Sequence, residues 1–200
     1  MWYSSDKGSP TGLGRPRDAG TTRKILERTI DLLTEVGYSG TSITAVAARA
    51  GVGTKSVYRR YANRDEMIVE AISTLMSVDQ HRISGNPHSD LTEIIESLRA
   101  NYLHSDGGLM SAELLSEMNR KPELITLFRR EIVWPKRRMI KSVLEQAMRQ
   151  GKVERGVDLE LVADQLWGAI LGRSLSGLDV PQDYVGDLVN SVFHGIATKG

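Results

Sequence analysis

Lys55 and Arg59 stand four residues apart, with Thr54 and Tyr58 directly before them. On one face of a helix, an ammonium and a guanidinium can donate hydrogen bonds to guanine O6 and N7 or to a phosphate. Hydroxyl groups can donate to phosphate oxygens, and Gly53 would let the backbone approach a polyanion closely. The chemistry that these residue types support is the binding of duplex DNA.

The preceding residues indicate how this segment is positioned. Ala47 is small enough for two helices to cross closely, Gly51 can adopt a positive φ in the turn, and Val57 points back into the crossing. A small residue, a glycine and an apolar residue at these offsets are typical of a helix-turn-helix. The second helix then turns Val57 and Tyr61 inward and its basic residues outward.

Helical periodicity and capping residues predict four helices in the first eighty residues, at about 22–36, 43–50, 54–61 and 64–75. Gly37 is expected to end the first of them, and Asn63 with Glu66 forms a capping box for the fourth. A loop is predicted at 84–90, followed by helices at about 90–104, 107–119, 121–150, 158–176 and 181–197. No alternating strand pattern occurs, so the predicted fold is all-α with about nine helices.

Charge is distributed unevenly although the whole chain carries a net charge of only +1. Residues 1–66 hold eleven Lys and Arg against seven acids, whereas residues 67–200 hold fifteen against eighteen. The sequence lacks cysteine, which excludes disulfides and thiolate chemistry, and no apolar run approaches the ~20 residues that span a bilayer. We therefore expect a cytoplasmic protein with a flexible basic arm at 1–19, a DNA-binding domain at 20–80 and a C-terminal domain at 81–200.

The segment Ala50–Glu66, AGVGTKSVYRRYANRDE, together with the preceding SITAVA at 42–47, resembles the tetracycline-repressor-like (TetR) family of bacterial transcriptional regulators. The resemblance implies a dimeric repressor that binds a pseudo-palindromic operator and is released by a small-molecule effector, apolar or aromatic in character. It implies phosphate contacts from Ser42, Thr44, Tyr58 and Arg64. Base contacts are expected from Thr54, Lys55, Ser56, Arg59 and Arg60, and the candidate DNA-binding set also includes Gly53 and Tyr61.

Gly14-Arg15-Pro16-Arg17 resembles the core of an AT-hook, in which arginines on an extended arm enter a narrow minor groove. Arg15 and Arg17 are therefore further candidates for DNA contact. An ordinary disordered tail is the alternative explanation.

The resemblance also implies that the C-terminal domain carries the dimer interface. The last two predicted helices supply a strongly apolar stripe and several small residues, which favour a four-helix interface between two subunits. The alternative is that these residues form the core of a single chain. The candidate interface residues are Val162, Leu166, Gly168, Ala169, Gly172, Val185, Leu188, Val189, Val192, Phe193 and Ile196.

Large adaptable apolar residues are candidates for an effector pocket, although such residues more often form plain core. They are Met110, Leu114, Met118, Leu127, Phe128, Trp134, Met139, Trp167 and Leu171. Pro135 lies inside a long helical pattern and is expected to kink it, which could open space for a ligand.

A basic cluster could bind an anionic ligand or DNA, but such a run is usually a solvated face. It comprises Arg129, Arg130, Lys136, Arg137, Arg138 and Lys141. The four histidines lie far apart, so no metal site and no cofactor are expected. The sequence contains no phosphate loop, dinucleotide fingerprint or nucleophile elbow, which argues against an enzyme. An architectural protein that binds DNA without sequence preference remains an alternative.

Overall fold

The computed structural model describes residues 19–76, 84–103 and 107–196. Within these ranges the regular structure is helical, and no residue belongs to a β-strand. The helices are α1 (Ala19–Gly40), α2 (Ile43–Ala50), α3 (Thr54–Tyr58), α4 (Arg64–Leu75), α5 (Pro87–Leu103), α6 (Gly107–Met118), α7 (Pro122–Phe128), α8 (Trp134–Arg149), α9 (Leu159–Leu175) and α10 (Tyr184–Ile196). A π-helical turn, Arg129–Val133, joins α7 to α8. When α7, the π turn and α8 are taken as one helical stretch, the described helices number nine, and the predicted all-α fold is confirmed.

The first helix changes direction at Gly37, which was expected to end it. Gly37 has φ 69° and ψ −178°, a backbone conformation that residues other than glycine rarely adopt. A final helical turn follows as far as Gly40. The kink turns Tyr38 into the protein, where its side chain is buried.

The predicted loop at 84–90 was wrong in its second half, since α5 already begins at Pro87. Proline suits the first position of a helix because its missing N–H would have no intrahelical partner there. The Asn86 side chain accepts hydrogen bonds from the N–H groups of His88 and Ser89, at 3.2 and 3.3 Å, and so caps the helix.

The long predicted helix at 121–150 is present, with its irregularity placed directly before Pro135. A proline ring crowds the carbonyl four residues earlier and cannot donate a hydrogen bond. The π turn at Arg129–Val133 widens the helix at that point and accommodates both defects.

Two apolar cores stabilise the fold. The smaller core lies among α1–α4, the N-terminal domain, and includes Ile25, Val46 and Met67. The larger core is formed mainly by α5–α10, the C-terminal domain. Helices α1 and α4 contribute to both, because Leu33 and Ile72 face the larger core. The predicted domain boundary at 80/81 lies outside the described residues and stays a prediction.

None of the described helices is both long and apolar enough to cross a membrane.

Candidate DNA-binding interface

The crossing of α2 and α3 has the geometry that the sequence predicts. Ala47 and Val57 are 2% and 0% exposed and belong to the same core. Gly51 follows α2 with φ 67°, and its N–H donates to Ala48 O, while Val52 N–H donates to Ala47 O. This left-handed cap ends α2 and turns the chain into α3.

The outward face of α3 carries the predicted basic residues. Lys55, Tyr58 and Arg59 are exposed, Tyr58 to 58%. Thr54 and Ser56 are half-buried, and Ser56 Oγ lies 3.4 Å from Arg59 Nη2.

The start of α3 is open to an approaching ligand. Gly53 caps the helix without a side-chain hydrogen bond, and a Cβ at this position would meet no atom within 4 Å. The first backbone N–H groups of α3 can therefore approach a phosphate.

Arg60 does not join this outward face, contrary to expectation. Its Nε donates to Thr22 Oγ1 at 3.1 Å, and its Nη1 donates to the Ser56 carbonyl at 2.8 Å and to Ser56 Oγ at 3.0 Å. The guanidinium thus ties the end of α3 to the first turn of α1. Helix α3 ends at Tyr58 instead of at 61, and the chain turns inward at this point.

Tyr61 is also corrected as a DNA-contact candidate. Its side chain is 3% exposed and packs in the N-terminal core. Its hydroxyl lies 3.4 Å from Glu70 Oε1 on α4, and burial, with that carboxylate, raises the pKa of Tyr61. Its position in the core favours a structural role for Tyr61 within the helix-turn-helix.

Three of the four predicted phosphate contacts, Ser42, Thr44 and Arg64, lie near the start of α2, whereas Tyr58 lies on α3. Ser42 and Thr44 are exposed, and Ser42 Oγ caps the helix by accepting from Ala45 N–H at 3.2 Å. Arg64 Nη1 donates to Thr41 O at 3.2 Å, which places its guanidinium beside the residue that precedes Ser42. A cation, two hydroxyls and a helix N-terminus together favour an anion.

Arg64 is held by a network of side chains that no sequence motif predicts. Its guanidinium stacks on the Tyr38 ring at 4.6 Å, and Lys121 Nζ lies 5.3 Å from the same ring. Asp65 accepts hydrogen bonds from Tyr38 Oη at 2.6 Å and from Lys121 Nζ at 3.1 Å. Burial opposes ionisation of Asp65, but these donors hold its pKa below the ordinary value. The carboxylate therefore stays ionised between the two cations.

This network spans the two domains, because Lys121 lies between α6 and α7. A second link comes from Glu113 on α6, whose Oε1 accepts from the Tyr38 backbone N–H at 2.6 Å. Glu113, Lys121 and Tyr38 carry no motif or periodicity that marks them in the sequence. The kink at Gly37 directs Tyr38 toward the other two, and the packing of α4 against α6 and α7 places Lys121 beside Asp65.

Helix α2 is braced against α1 by Arg49, which forms two hydrogen bonds with the carboxylate of Glu35, at 2.7 and 2.8 Å. Arg15 and Arg17 of the predicted arm lie outside the described residues.

The structure does not support an interface position for five of the candidate interface residues. These are buried within the chain itself, at 8% exposure or less, and face the C-terminal core: Val162, Leu166, Val185, Val189 and Ile196. The others lie on the surface or are half-buried: Gly168, Ala169, Gly172, Leu188, Val192 and Phe193. Leu161 and Leu175, which the sequence analysis did not include, are exposed on α9 beside the two glycines, at 56% and 48%.

Most pocket candidates pack in or against the C-terminal core, as the plain-core alternative predicts. The buried ones are Met110, Leu114, Met118, Phe128 and Trp167, and the half-buried ones are Leu127, Met139 and Leu171. Trp134 is 46% exposed and lies beside Arg137 and Lys141 at a surface cleft.

The basic cluster is divided by the structure. Arg129, Arg130 and Arg138 are exposed, and Arg137 and Lys141 form ion pairs with Glu160. Lys136 is only 5% exposed, which corrects the interpretation of the cluster as one solvated face.

Comparison with known proteins agrees with this geometry. Residues 25–71 match the family model described as bacterial regulatory proteins, tetR family, and residues 84–192 match the tetracyclin repressor-like C-terminal domain. The chain is 30% identical to the HTH-type transcriptional regulator YdeS of Bacillus subtilis (strain 168), over 92% of this chain and 93% of that protein. It is 25% identical to the DNA-binding transcriptional repressor TetR of Mycobacteroides abscessus, over 86% and 93% of the two chains.

Solved structures share the fold. A TetR family transcription regulator superposes with a TM-score of 0.71 at 22% identity, covering 88% of this chain and 97% of its own. The flavonoid-responsive regulator FrrA superposes with a TM-score of 0.68 at 17% identity, covering 92% and 100%. The family models together span most of the chain, and the outward basic face of α3 lies within the matched N-terminal domain. The protein therefore belongs to the TetR family of DNA-binding transcriptional regulators.

Proposed function

We propose that this chain is a repressor that binds a pseudo-palindromic operator as a homodimer and leaves it when a small-molecule effector binds the C-terminal domain. The observation that carries the proposal is the exposed pair Lys55 and Arg59 on a helix that is held from behind by Val57. A helix presented in this way fits the major groove, and its two cations can reach base edges.

A second copy of the chain fits the exposed face of α9. Leu161, Gly168, Gly172 and Leu175 follow one another at helical spacing along this face, and a Cβ at either glycine would meet no atom within 4 Å. Small residues allow two helices to approach closely, and the flanking leucines gain by being covered. Paired in this way, two subunits present two recognition helices to two half-sites, with centres ~34 Å apart or a multiple of that distance.

Effector binding needs a route to the N-terminal domain, and the contacts of Tyr38 provide one. Glu113 binds the Tyr38 backbone and Lys121 binds Asp65, so that a shift of α6 moves the end of α1 and the start of α4. Arg64, stacked on Tyr38, would shift with them.

The test is selection of genomic fragments by the purified protein, followed by competition with bulk DNA. A specific regulator should prefer its site by about 10³-fold or more, whereas an architectural protein should show little preference. Equal retention of selected and random fragments would overturn the regulator proposal. Both kinds of protein weaken with salt, so the comparison is made at one salt concentration.

We assign the protein to the cytoplasm, where its DNA target lies, and assign it no catalytic activity. Turnover of a compound by the purified protein would contradict the latter assignment.

A further inference from the structure

The core of the C-terminal domain contains a lysine without a counter-ion. Lys136 lies on the inward face of the helix between Ile132 and Ile140, both buried. Its Nζ donates to the Ile132 carbonyl at 3.4 Å, a long contact within the same helical stretch. Among the described residues no carboxylate pairs with it, and burial lowers the pKa of Lys136 to about 8. The amine retains donors for which the described part of the chain offers no acceptor.

Two further polar atoms in this core lack a hydrogen-bond partner among the described residues: Tyr102 Oη and Trp167 Nε1. The side chains are 5% and 9% exposed. Burial raises the pKa of Tyr102 to about 12, and the Trp167 N–H acts in the opposite direction, so the two groups are neighbours. An indole N–H can only donate, and the phenolic O–H of Tyr102 can donate as well, so each group can still give a hydrogen bond to an acceptor.

Helix register places Lys136 at the level of Tyr102. Lys152 Nζ donates to Gly85 O at 2.9 Å, so the end of α8 lies beside the start of α5, and these two packed helices run in opposite directions. Tyr102 lies 17 residues after Gly85, and Lys136 lies 16 residues before Lys152. Counted within the helices, Tyr102 lies 15 residues after Pro87 and Lys136 lies 13 residues before Arg149, which at 1.5 Å per residue is about 22 Å and about 20 Å from the two helix ends that meet.

Helix α9 brings Trp167 to the same level. Arg137 pairs with Asp164, and Lys141 pairs with Glu160, so α8 and α9 are also antiparallel. Trp167 lies about one turn beyond Asp164 and therefore beside the first turn of α8. Helices α5, α8 and α9 pack against one another. From this register we infer that the three buried groups, which mainly donate hydrogen bonds, lie toward the same end of the core.

A cleft opens at Tyr102, which is the one of the three groups that lines it. The cleft has a volume of about 570 Å³, and its other lining residues are mostly apolar or small, with two polar side chains at its rim: Gly108, Leu109, Ala112, Leu175, Gly177 and Leu178, and Ser174 and Asp179. Leu109 is 77% exposed and Leu178 is 54% exposed, although both are large apolar side chains. Exposed apolar walls above buried donors suit a ligand with an apolar body and a polar end that only accepts hydrogen bonds.

We propose that Lys136, Tyr102 and Trp167 bind the carboxylate of an apolar organic acid, whose body occupies the cleft between α6 and α9. The inference rests on the proposed function in one respect, since it identifies this acid as the effector. A carboxylate accepts several hydrogen bonds, which matches an ammonium, a phenol and an indole, and its charge supplies the counter-ion that Lys136 lacks.

The test is titration calorimetry on the full chain with two matched pairs of probes: decanoate with 1-decanol, and 2-naphthylacetate with 2-naphthylacetamide. We expect at least one acid to bind at millimolar concentration or below, about tenfold or more tighter than its neutral counterpart. Lys136→Met should abolish that preference, and Tyr102→Phe, which removes only the hydroxyl, should weaken the acid about three- to tenfold. Lys141→Met is the matched control, because Lys141 belongs to the same basic cluster but pairs with Glu160 on the surface.

The proposal is overturned if neither acid binds, if acid and neutral probe bind the wild type equally, or if Lys141→Met has the same effect as Lys136→Met. Operator affinity measured with and without the acid distinguishes the binding site itself from the effector role of the acid. An acid that binds through Lys136 and leaves operator affinity unchanged supports the site and refutes the effector role. Retained operator binding without any acid binding refutes the site alone.

Discussion

Glu113 accepts a hydrogen bond from the backbone N–H of Tyr38, across 2.6 Å, and so joins α6 to the last turn of α1. The N–H is available because the left-handed backbone at Gly37 interrupts the helix. A Cβ at Gly37 would lie 2.6 Å from Glu113 Oε1, so the contact also requires a glycine at this position.

Replacing Glu113 by alanine should destabilise the protein by about 1–3 kcal/mol, because a half-buried N–H loses a charged acceptor. The free energy of unfolding in urea measures the effect. Glu123→Ala serves as the control, since Glu123 is exposed on the first turn of α7 and should change stability by less than about 0.5 kcal/mol. Equal stability of the two variants would contradict a linking role for Glu113.

Arg59 and Arg60 should behave differently although they are adjacent. Arg59→Ala should cost about 1–3 kcal/mol of operator binding and relax preference at one base position. Arg60→Ala should leave base preference unchanged and lower stability instead, because its guanidinium binds Thr22 and Ser56. Fluorescence anisotropy with the selected operator and its single-base variants measures both effects. Relaxed base preference in Arg60→Ala would show that this side chain leaves its intramolecular partners on DNA.

A bulky side chain at Gly168 should separate the subunits without unfolding them. The space around this position is open in one chain, so Gly168→Leu is expected to preserve helix content and to shift the protein to monomer in analytical ultracentrifugation. Ala100→Leu adds bulk at an exposed position on α5 and should leave the dimer intact. A dimeric Gly168→Leu variant would exclude this face of α9 as the interface.

The free energy of unfolding should rise with pH in the alkaline range because of Lys136. Burial lowers the pKa of this amine to about 8 in the folded chain, so the unfolded chain holds the proton more tightly. The free-energy cost of burying the protonated Lys136 amine is fully present below about pH 8 and is relieved between about pH 8 and pH 10. Lys136→Met should therefore stabilise the ligand-free protein at neutral pH by about 2–3 kcal/mol and remove this pH dependence. The free energy of unfolding in urea, measured at several pH values for both proteins, tests this prediction. A Lys136→Met variant no more stable than wild type would show that the amine is solvated.

Local signals in the sequence predicted the position of the recognition helix, α3, well. Ala47, Gly51 and Val57 act through contacts within a few residues of each other, so their spacing alone determines the crossing of α2 and α3. Arg60 and Tyr61 were expected among the DNA contacts, but helix α3 ends at Tyr58, and in the structure their side chains meet Thr22 and Glu70, which belong to other helices. A pattern within one helix cannot show which neighbour a side chain will meet.

The C-terminal domain was predicted less well for the same reason. Lys136 stood in a basic run, and only the packing of α8 against α5 and α9 shows that it faces inward. The stripe on α10 includes Val185 and Val189, which are apolar because they pack in their own chain's core and not because a partner covers them.

Helices α1 and α4 each pack in both apolar cores, which constrains how the protein can unfold. If the larger core unfolded, Leu33, Ile68 and Ile72 would become exposed to solvent, and the N-terminal domain would carry an apolar surface. We therefore expect one cooperative transition on heating and poor solubility of a fragment cut after α4. If an effector binds the C-terminal domain, as we propose, these shared helices give it a direct mechanical connection to the DNA-binding domain.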